Sequence, residues 1–164
     1  MMTRHTSPTT VACDSLTRKK VIDLELKLNS FFLPMVPPTI THQEHSIHVV
    51  KKGSRHVPVV YEPDELKEAR AKLLAHLCRH MPDAPAAGPI RLITRWCFPA
   101  GKHQDGSYKV TKPDTDNLQK LFKDCMTHCG FWKDDAQVAS ELTEKFWADV
   151  PGIYVEIYAL EVDS

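Results

Sequence analysis

The spacing of apolar residues along the chain predicts two amphipathic helices. Apolar positions recur every three or four residues between Leu66 and Leu77, and again between Leu118 and Met126. This spacing places them on one face of a helix, which can then pack against the rest of the protein. Gly130 follows the second stripe, where glycine commonly ends a helix. We therefore expect two helices, each with one buried face.

Other segments have the shorter period of β-strands. Residues 30–38 are apolar but contain three prolines, which favours an edge strand that leads into a stiff loop. Two apolar runs flank the basic link KKGSR and predict a hairpin with a basic tip. Alternating or apolar runs at 90–98, 138–147 and 153–162 predict three more strands. The order of elements predicts an α+β fold with two main helices packed on a small mixed sheet.

The chain length of 164 residues fits one domain, preceded by a poorly patterned arm. Residues 1–28 predict a short amphipathic helix or a frayed arm, and residues 29–164 the domain itself. No apolar run reaches the roughly 18 to 20 residues that span a bilayer, and the first residues lack the pattern of a secretory signal. We expect an intracellular protein with no membrane partner.

The five cysteines are odd in number and contain no CxxC pair. This usage argues against a zinc knuckle or a dithiol redox motif. Cys125 and Cys129 lie four residues apart on one helical face, where free cysteines usually act as small buried hydrophobic residues. We expect no chemistry from them.

Charge is unevenly distributed although the net charge is zero. Residues 1–61 hold eight Lys and Arg against four Asp and Glu, whereas residues 134–164 hold one against eight. A zero total disfavours strong nucleic-acid binding, because phosphate contacts require cations. The uneven distribution nevertheless allows a local cationic surface.

The stretch from Lys112 to Val138 carries the candidate chemistry. Asp114, Asp116 and Asn117 open the second predicted helix, and Lys120 follows Asp116 by one turn. An ordinary structural interpretation is available, because Asp and Asn cap helices and an Asp–Lys pair at this spacing is a weak helical ion pair. That interpretation leaves most of the pattern unexplained.

Two further acids, Asp134 and Asp135, follow the helix. If this segment folds back beside the helix start, three carboxylates converge and repel one another unless a divalent cation binds. Oxygen ligands favour Mg²⁺ or Mn²⁺ over zinc, and such a metal can activate water and neutralise phosphate charge with help from a lysine. The residues alone leave two possibilities open, phosphoryl-transfer chemistry and a structural carboxylate cluster.

The sequence KPDTDNLQKLFKDCMTHCGFWKDDAQV resembles the signature of the RusA family of Holliday junction resolvases. Weaker similarity extends over FLPMVPPTITH and VVYEPDELKEAR. The resemblance implies a homodimeric α+β endodeoxyribonuclease that uses Mg²⁺, or Mn²⁺ as a substitute. It also implies paired symmetric nicks in four-way DNA junctions during recombination and repair, in a bacterial cytoplasm and with phage or prophage origin.

Site roles follow from the resemblance. Asp114, Asp116 and Asp135 match the catalytic acids and are the expected metal ligands, and Lys120 matches the catalytic lysine. Asp134 and Asn117 are expected to contact the ligands rather than the metal. A homodimer also has a physical motive, because a two-fold symmetric junction needs two identical sites.

Basic side chains outside this motif are candidate DNA contacts, although solvated charges explain them equally well. The candidates are Lys51, Lys52, Arg55, Lys102, His103, Lys112, Lys123 and Lys133. For Phe131 and Trp132 core packing is favoured over base stacking, and for the loop histidines His42, His45 and His48 solvation or phosphate contact is favoured over metal ligation. The alternative function is a branched-DNA-binding module of the same fold that does not cleave.

Overall fold

A computed structural model describes residues 25–40, 46–52, 55–61 and 63–160 of the chain. It contains six strands, two α-helices and two single 3₁₀ turns in these residues. The strands are β1 Glu25–Pro34, β2 Ser46–Lys52, β3 Arg55–Tyr61, β4 Ile90–Pro99, β5 Val138–Ala148 and β6 Gly152–Leu160. The helices are α1 Asp64–Leu77 and α2 Thr115–His128, and the 3₁₀ turns are Cys78–His80 and Asp135–Gln137.

Four of the strands form a mixed sheet in the order β1-β6-β4-β5. β4 and β5 are parallel, whereas β6 is antiparallel to both β1 and β4. β2 and β3 form a separate antiparallel hairpin. The prediction of an α+β fold with two helices and a small mixed sheet is confirmed.

Two boundaries differ from the sequence-based prediction. β1 occupies the sheet edge as expected, but it begins at Glu25, so Glu25–Leu28 form a strand and not a helix. The remainder of the predicted arm, and the loop histidines His42 and His45, lie outside the described residues. In the hairpin, Lys52 pairs with Arg55, so the strands run further into the predicted link than its polarity suggested.

Both helices contribute to a core built on one face of the sheet. Every second residue of β4 is buried from Ile90 to Phe98, as its alternation predicts. β6 buries Ile153, Val155 and Ile157 on the same principle. The buried stripes of the helices complete this cluster, with Leu66, Ala69, Leu73 and Leu77 from α1 and Leu118, Leu121, Phe122, Cys125 and Met126 from α2.

Helix α2 forms the crossover between the parallel strands β4 and β5. Its buried Gln119 donates hydrogen bonds to Thr94 of β4 and Thr143 of β5. One turn later, Lys123 pairs with Glu141 at 2.8 Å, two residues earlier along β5. The helix therefore runs antiparallel to β5, from its carboxyl-terminal half towards its beginning.

The end of α2 is set by Gly130. This glycine has a φ of +76°, a left-handed conformation that favours glycine. The backbone N–H of Gly130 donates to Thr127 O at 3.0 Å and that of Phe131 to Met126 O at 3.1 Å. These two bonds form a Schellman motif, which confirms the predicted stop and turns the chain towards β5.

The start of β6 leaves no room for a side chain at Gly152, since an added Cβ would lie 2.7 Å from the Leu33 carbonyl oxygen and closer still to the Phe32 ring. We expect Gly152→Ala to lower the free energy of unfolding by about 1 to 3 kcal/mol, because β1 and β6 must separate. Urea denaturation with an unchanged m-value measures this loss.

Gly101→Ala is the matched control for that substitution. Gly101 has a φ of +58°, but the space that an added Cβ would occupy is open, so only the backbone conformation is penalised, by about 1 kcal/mol. An equal or larger loss of stability for Gly101→Ala than for Gly152→Ala would contradict the steric explanation.

Candidate active site

The first turn of α2 presents two carboxylates that the fold does not use. Asp114 is the N-cap residue, with φ −76° and ψ 151°, yet its side chain makes no capping hydrogen bond. Asp114 and Asp116 are both exposed. Neither has a side-chain hydrogen bond or ion pair within the described part of the chain. The helix-cap and ion-pair interpretations therefore account for neither side chain.

Lys120 and Asn117 flank these acids on α2. Lys120 is exposed, and it makes no ion pair with Asp116 or with any other residue in the described ranges. Asn117 is half-buried, and its Oδ1 is shielded from solvent without a hydrogen-bond donor among the described residues. A carbonyl oxygen without a donor is a group that a cation or an ordered water can satisfy.

Two lysines hold the segment ahead of Asp114: Lys109, which the sequence offered only as a DNA-contact candidate of low specificity, and Lys145, which sequence reasoning missed. Lys145 Nζ donates to Thr111 O at 3.0 Å and to Pro113 O at 2.7 Å. Lys109 Nζ bonds the hydroxyl of Thr111 and lies 4.3 Å from the ring centre of Trp147. The peptide bond between Lys112 and Pro113 is cis.

Lys109 is only 7% exposed. Burial, with a smaller contribution from the charge of Lys145, lowers the pKa of Lys109 below its usual value. A signal for Lys145 exists in the sequence, because it alternates with Thr143 and Trp147 and so shares their face of β5. No such period marks Lys109, which lies in a loop.

The two acids after α2 have different environments. Asp134 caps the 3₁₀ turn through its side chain, which accepts a hydrogen bond from Ala136 N at 2.8 Å. Gln137 completes a capping box by accepting from the backbone of Asp134. Asp135 is exposed and has no side-chain partner in the described part of the chain. The Asp134 carboxylate is thus used as a cap, whereas the Asp135 carboxylate makes no contact in the described residues and can bind a ligand.

Within one chain the structure places Asp135 at the opposite end of α2 from Asp114 and Asp116. The helix has 14 residues, which corresponds to about 21 Å at 1.5 Å per residue. The segment after α2 does begin a strand beside it, as hypothesised, but the strand starts at the helix C-terminus. The described ranges accordingly contain no group of three His, Cys, Asp or Glu side chains placed to hold a metal. Convergence of the three acids within one chain is therefore not observed, and the assignment of Asp135 as a ligand stays a prediction.

The candidate DNA contacts are scattered around the site. Lys112, Lys102 and His103 are exposed near the start of α2 or in the loop before it, and Lys133 is exposed near the other end. His103 stacks on Trp147 at a centroid distance of 4.1 Å. Lys123 is half-buried in its pair with Glu141. Of the hairpin residues Lys51, Lys52 and Arg55 only the backbone is described.

Other expectations can be compared with the structure directly. Phe131 and Trp132 are 2% and 1% exposed, which confirms core packing. Cys78, Cys97, Cys125 and Cys129 are free thiols, and burial raises the pKa of Cys125 to about 11 and that of Cys129 to about 12. These last two thiols are protonated at neutral pH and poorly nucleophilic. In the described residues no helix has the length and apolar character required to cross a membrane.

The exposed carboxylates at the start of α2 have no partner among the described residues and leave open both a metal-binding site for phosphate chemistry and a structural cluster. A family comparison narrows these possibilities. The family model for Endodeoxyribonuclease RusA matches residues 36–158, most of the chain. The chain therefore belongs to the RusA family of endodeoxyribonucleases, and membership implies nuclease activity on Holliday junctions.

A curated relative from Bacillus subtilis (strain 168), the uncharacterized protein YqaN, is similar to this chain. The two are 27% identical over 120 residues, which cover 66% of this chain and 82% of the relative. The similarity covers most of both proteins, but the relative is uncharacterized and therefore gives no information about activity.

The different environments of the paired acids predict different effects on stability. We expect Asp134→Ala to lower the free energy of unfolding by about 1 kcal/mol, because it removes a side-chain cap. Asp135→Ala should leave stability within about 0.5 kcal/mol, since its side chain contacts no partner in the part of the chain that the structure describes. Chemical denaturation of both variants measures the difference, and equal losses would show that the capping bond does not exist in solution.

Proposed function

We propose that this protein is a Mg²⁺-dependent endodeoxyribonuclease that resolves four-way DNA junctions by paired symmetric nicks. The observation that carries the proposal is the pair of exposed, unpartnered carboxylates of Asp114 and Asp116 at the start of α2. Neither side chain makes a hydrogen bond within residues 25–40, 46–52, 55–61 and 63–160, and two like charges two residues apart repel each other. Residues in this state are available for a ligand.

The donor set fits a hard divalent cation. Mg²⁺ is commonly held by one or two carboxylates, with waters and substrate phosphate oxygens as the other ligands. Asp114 and Asp116 supply two carboxylates, and the donor-free Oδ1 of Asn117 lies in the next residue. Mn²⁺ can occupy the same oxygen ligands. When bound, the metal activates a water and stabilises negative charge on the phosphate that is cut.

Other groups of the chain are placed to bind the phosphate and to stabilise charge on it. The N-terminus of α2 carries a partial positive charge that favours the phosphate and both carboxylates. Lys120 lies one turn further along the same face as Asp116, where its ammonium can contact a phosphate oxygen and stabilise charge that develops on it. The proposed DNA contacts outside this turn are Lys51, Lys52, Arg55, Lys102, His103, Lys112, Lys123 and Lys133.

A homodimer supplies the third acid. Asp135 lies in the 3₁₀ turn beyond the far end of α2, too far away to join Asp114 and Asp116 of its own chain, so we propose that it joins the corresponding pair of a second copy. A two-fold axis between antiparallel α2 helices would create two identical sites and use every acid once. Asp134 would orient the turn that carries Asp135. Two symmetric sites match the two cuts that a four-way junction requires.

The proposed setting is the bacterial cytoplasm, with a phage or prophage gene as the origin. A nuclease for recombination and repair acts where branched DNA forms. This part of the proposal rests on family membership and not on any feature of the site.

Loss of one carboxylate tests the metal site. We expect Asp116→Asn to lower Mg²⁺-dependent nicking of a synthetic four-way junction by at least about 100-fold, because several kcal/mol of transition-state stabilisation are removed. Junction binding in Ca²⁺ should persist, since the phosphate contacts remain. Gel assays on junction, fork and linear duplex, with and without Mg²⁺, measure both properties.

The exposed Asp83, which lies in the loop before β4, provides the matched control. Asp83→Asn should cleave like the unmutated protein. Undiminished cleavage by Asp116→Asn would refute the assignment. Binding without any Mg²⁺-dependent cleavage by the unmutated protein would instead support the alternative, a non-cleaving branched-DNA-binding module.

A complementation experiment tests the shared site. If Asp135 acts across the dimer, a heterodimer of Asp116→Asn and Asp135→Asn protomers has one intact site and one site that lacks both acids. We expect each homodimer to be inactive and the mixture to nick one strand per junction. A mixture as inactive as its components, with subunit exchange verified by native mass spectrometry, would show that Asp135 does not act in trans.

A further inference from the structure

The segment that precedes Asp114 is held by the ammonium groups of two lysines, Lys109 and Lys145, that lie outside the proposed catalytic set. Lys145 reaches from β5 to two backbone carbonyls, Thr111 O and Pro113 O. Lys109 bonds the Thr111 side chain. The anchored segment therefore ends one residue before the first proposed metal ligand.

These lysines serve no ion pair in the described part of the chain, although lysine is seldom buried without a carboxylate partner. Lys109 instead lies 4.3 Å from the ring centre of Trp147 and 5.2 Å from that of Phe98. Cation–π contacts of this kind offset part of the cost of desolvating an ammonium. Two neighbouring cations, one buried and one half-buried, are costly to the fold, and their placement indicates a role beyond stability.

We propose that Lys145 is a positioning residue for the site at the start of α2. Its ammonium fixes the carbonyls of Thr111 and Pro113 and so sets the direction in which the chain enters the helix. That direction decides where Asp114, the N-cap residue, presents its carboxylate. Because the Asp114 side chain makes no capping bond, its direction depends on its backbone, which is held by Lys145 on the side before it and by Leu118 N, 3.2 Å from Asp114 O, on the helix side. The inference rests on the proposed function, since it concerns the same carboxylates.

A positioning role for Lys145 and a purely electrostatic effect of its charge predict opposite changes in metal affinity. A lysine near a cation site repels the cation, so loss of the Lys145 charge alone would tighten metal binding. Loss of the two carbonyl bonds would loosen the entry to α2 and weaken metal binding. For comparison, removing the partners that orient metal ligands typically lowers affinity by about 10 to 100-fold.

Mn²⁺ binding measured by electron paramagnetic resonance, without DNA, tests the proposal directly. We expect Lys145→Met to weaken Mn²⁺ binding by about 10-fold and to raise deuterium uptake in peptides that cover residues 110–118. Lys145→Arg should restore most of both, because the guanidinium can still donate to carbonyls. Junction binding without metal should change by less than about twofold, since Lys145 is not a proposed phosphate contact.

Lys72→Met is the matched control, because Lys72 also donates to a backbone carbonyl, Val36 O at 2.9 Å, but from helix α1. It should change neither Mn²⁺ binding nor exchange at residues 110–118. Unchanged or tighter Mn²⁺ binding by Lys145→Met would overturn the proposal, as would failure of Lys145→Arg to restore it. If Lys145→Met does not fold, Lys145→Gln decides by the same two measurements.

The two proposals fail in different ways. Absence of Mn²⁺ binding and of nicking by the unmutated protein would refute the proposed function. Normal nicking and Mn²⁺ binding by the unmutated protein, with no effect of Lys145→Met on either binding or hydrogen exchange, would refute only the positioning role. Hydrogen exchange reports the anchoring of residues 110–118 whether or not the protein cleaves DNA.

Discussion

The parallel pairing of β4 with β5 is the constraint on which the rest of this structure depends. Parallel neighbours cannot be joined by a tight turn, so a crossover must return the chain along the sheet, and α2 is that crossover. The helix therefore has its beginning and its end at opposite ends of β5. The acids before and after it are separated by the length of the helix. This separation is the reason for proposing a site shared between two copies.

Helix α2 has two parts with different surroundings, a face that packs on the sheet and a first turn that carries exposed acids. Its apolar stripe and Gln119 attach it to the sheet, with Gln119 bonded to a threonine on each of the parallel strands. The carboxylates of its first turn have no such task, because Asp114 and Asp116 are exposed and their side chains make no hydrogen bond or ion pair among the described residues. A rigid helix with an uncommitted N-terminal turn is suited to holding ligands, since its orientation does not depend on them. Two lysines beside that turn, Lys109 and Lys145, hold the segment that leads into it through hydrogen bonds to Thr111 and Pro113.

Local patterns in the sequence were sufficient for most of the elements. The alternation in β4 and the apolar spacing in both helices reflect which side of each element faces the core, so they predicted the elements well. Gly130 was predictable because few other residues adopt its backbone conformation. The start of β1 was not, since Glu25–Leu28 are polar enough to resemble an arm and become a strand only by pairing with β6. Edge strands depend on a partner that their own residues do not specify.

The sequence by itself determined the α+β class, the candidate acids and the family, because these depend on residue type and spacing along the chain. Only the tertiary structure showed that Asp135 lies at the opposite end of α2 from Asp114 and Asp116 within one chain. The spacing between Asp116 and Asp135 does not tell whether Asp135 lies beside the first or the last turn of α2. Strand pairing between residues far apart in sequence decides this. The same holds for Lys145, whose hydrogen bonds to Thr111 O and Pro113 O form only because β5 passes beside residues 111–113. The stretch from Lys112 to Val138 thus carries its acids at the two ends of one helix.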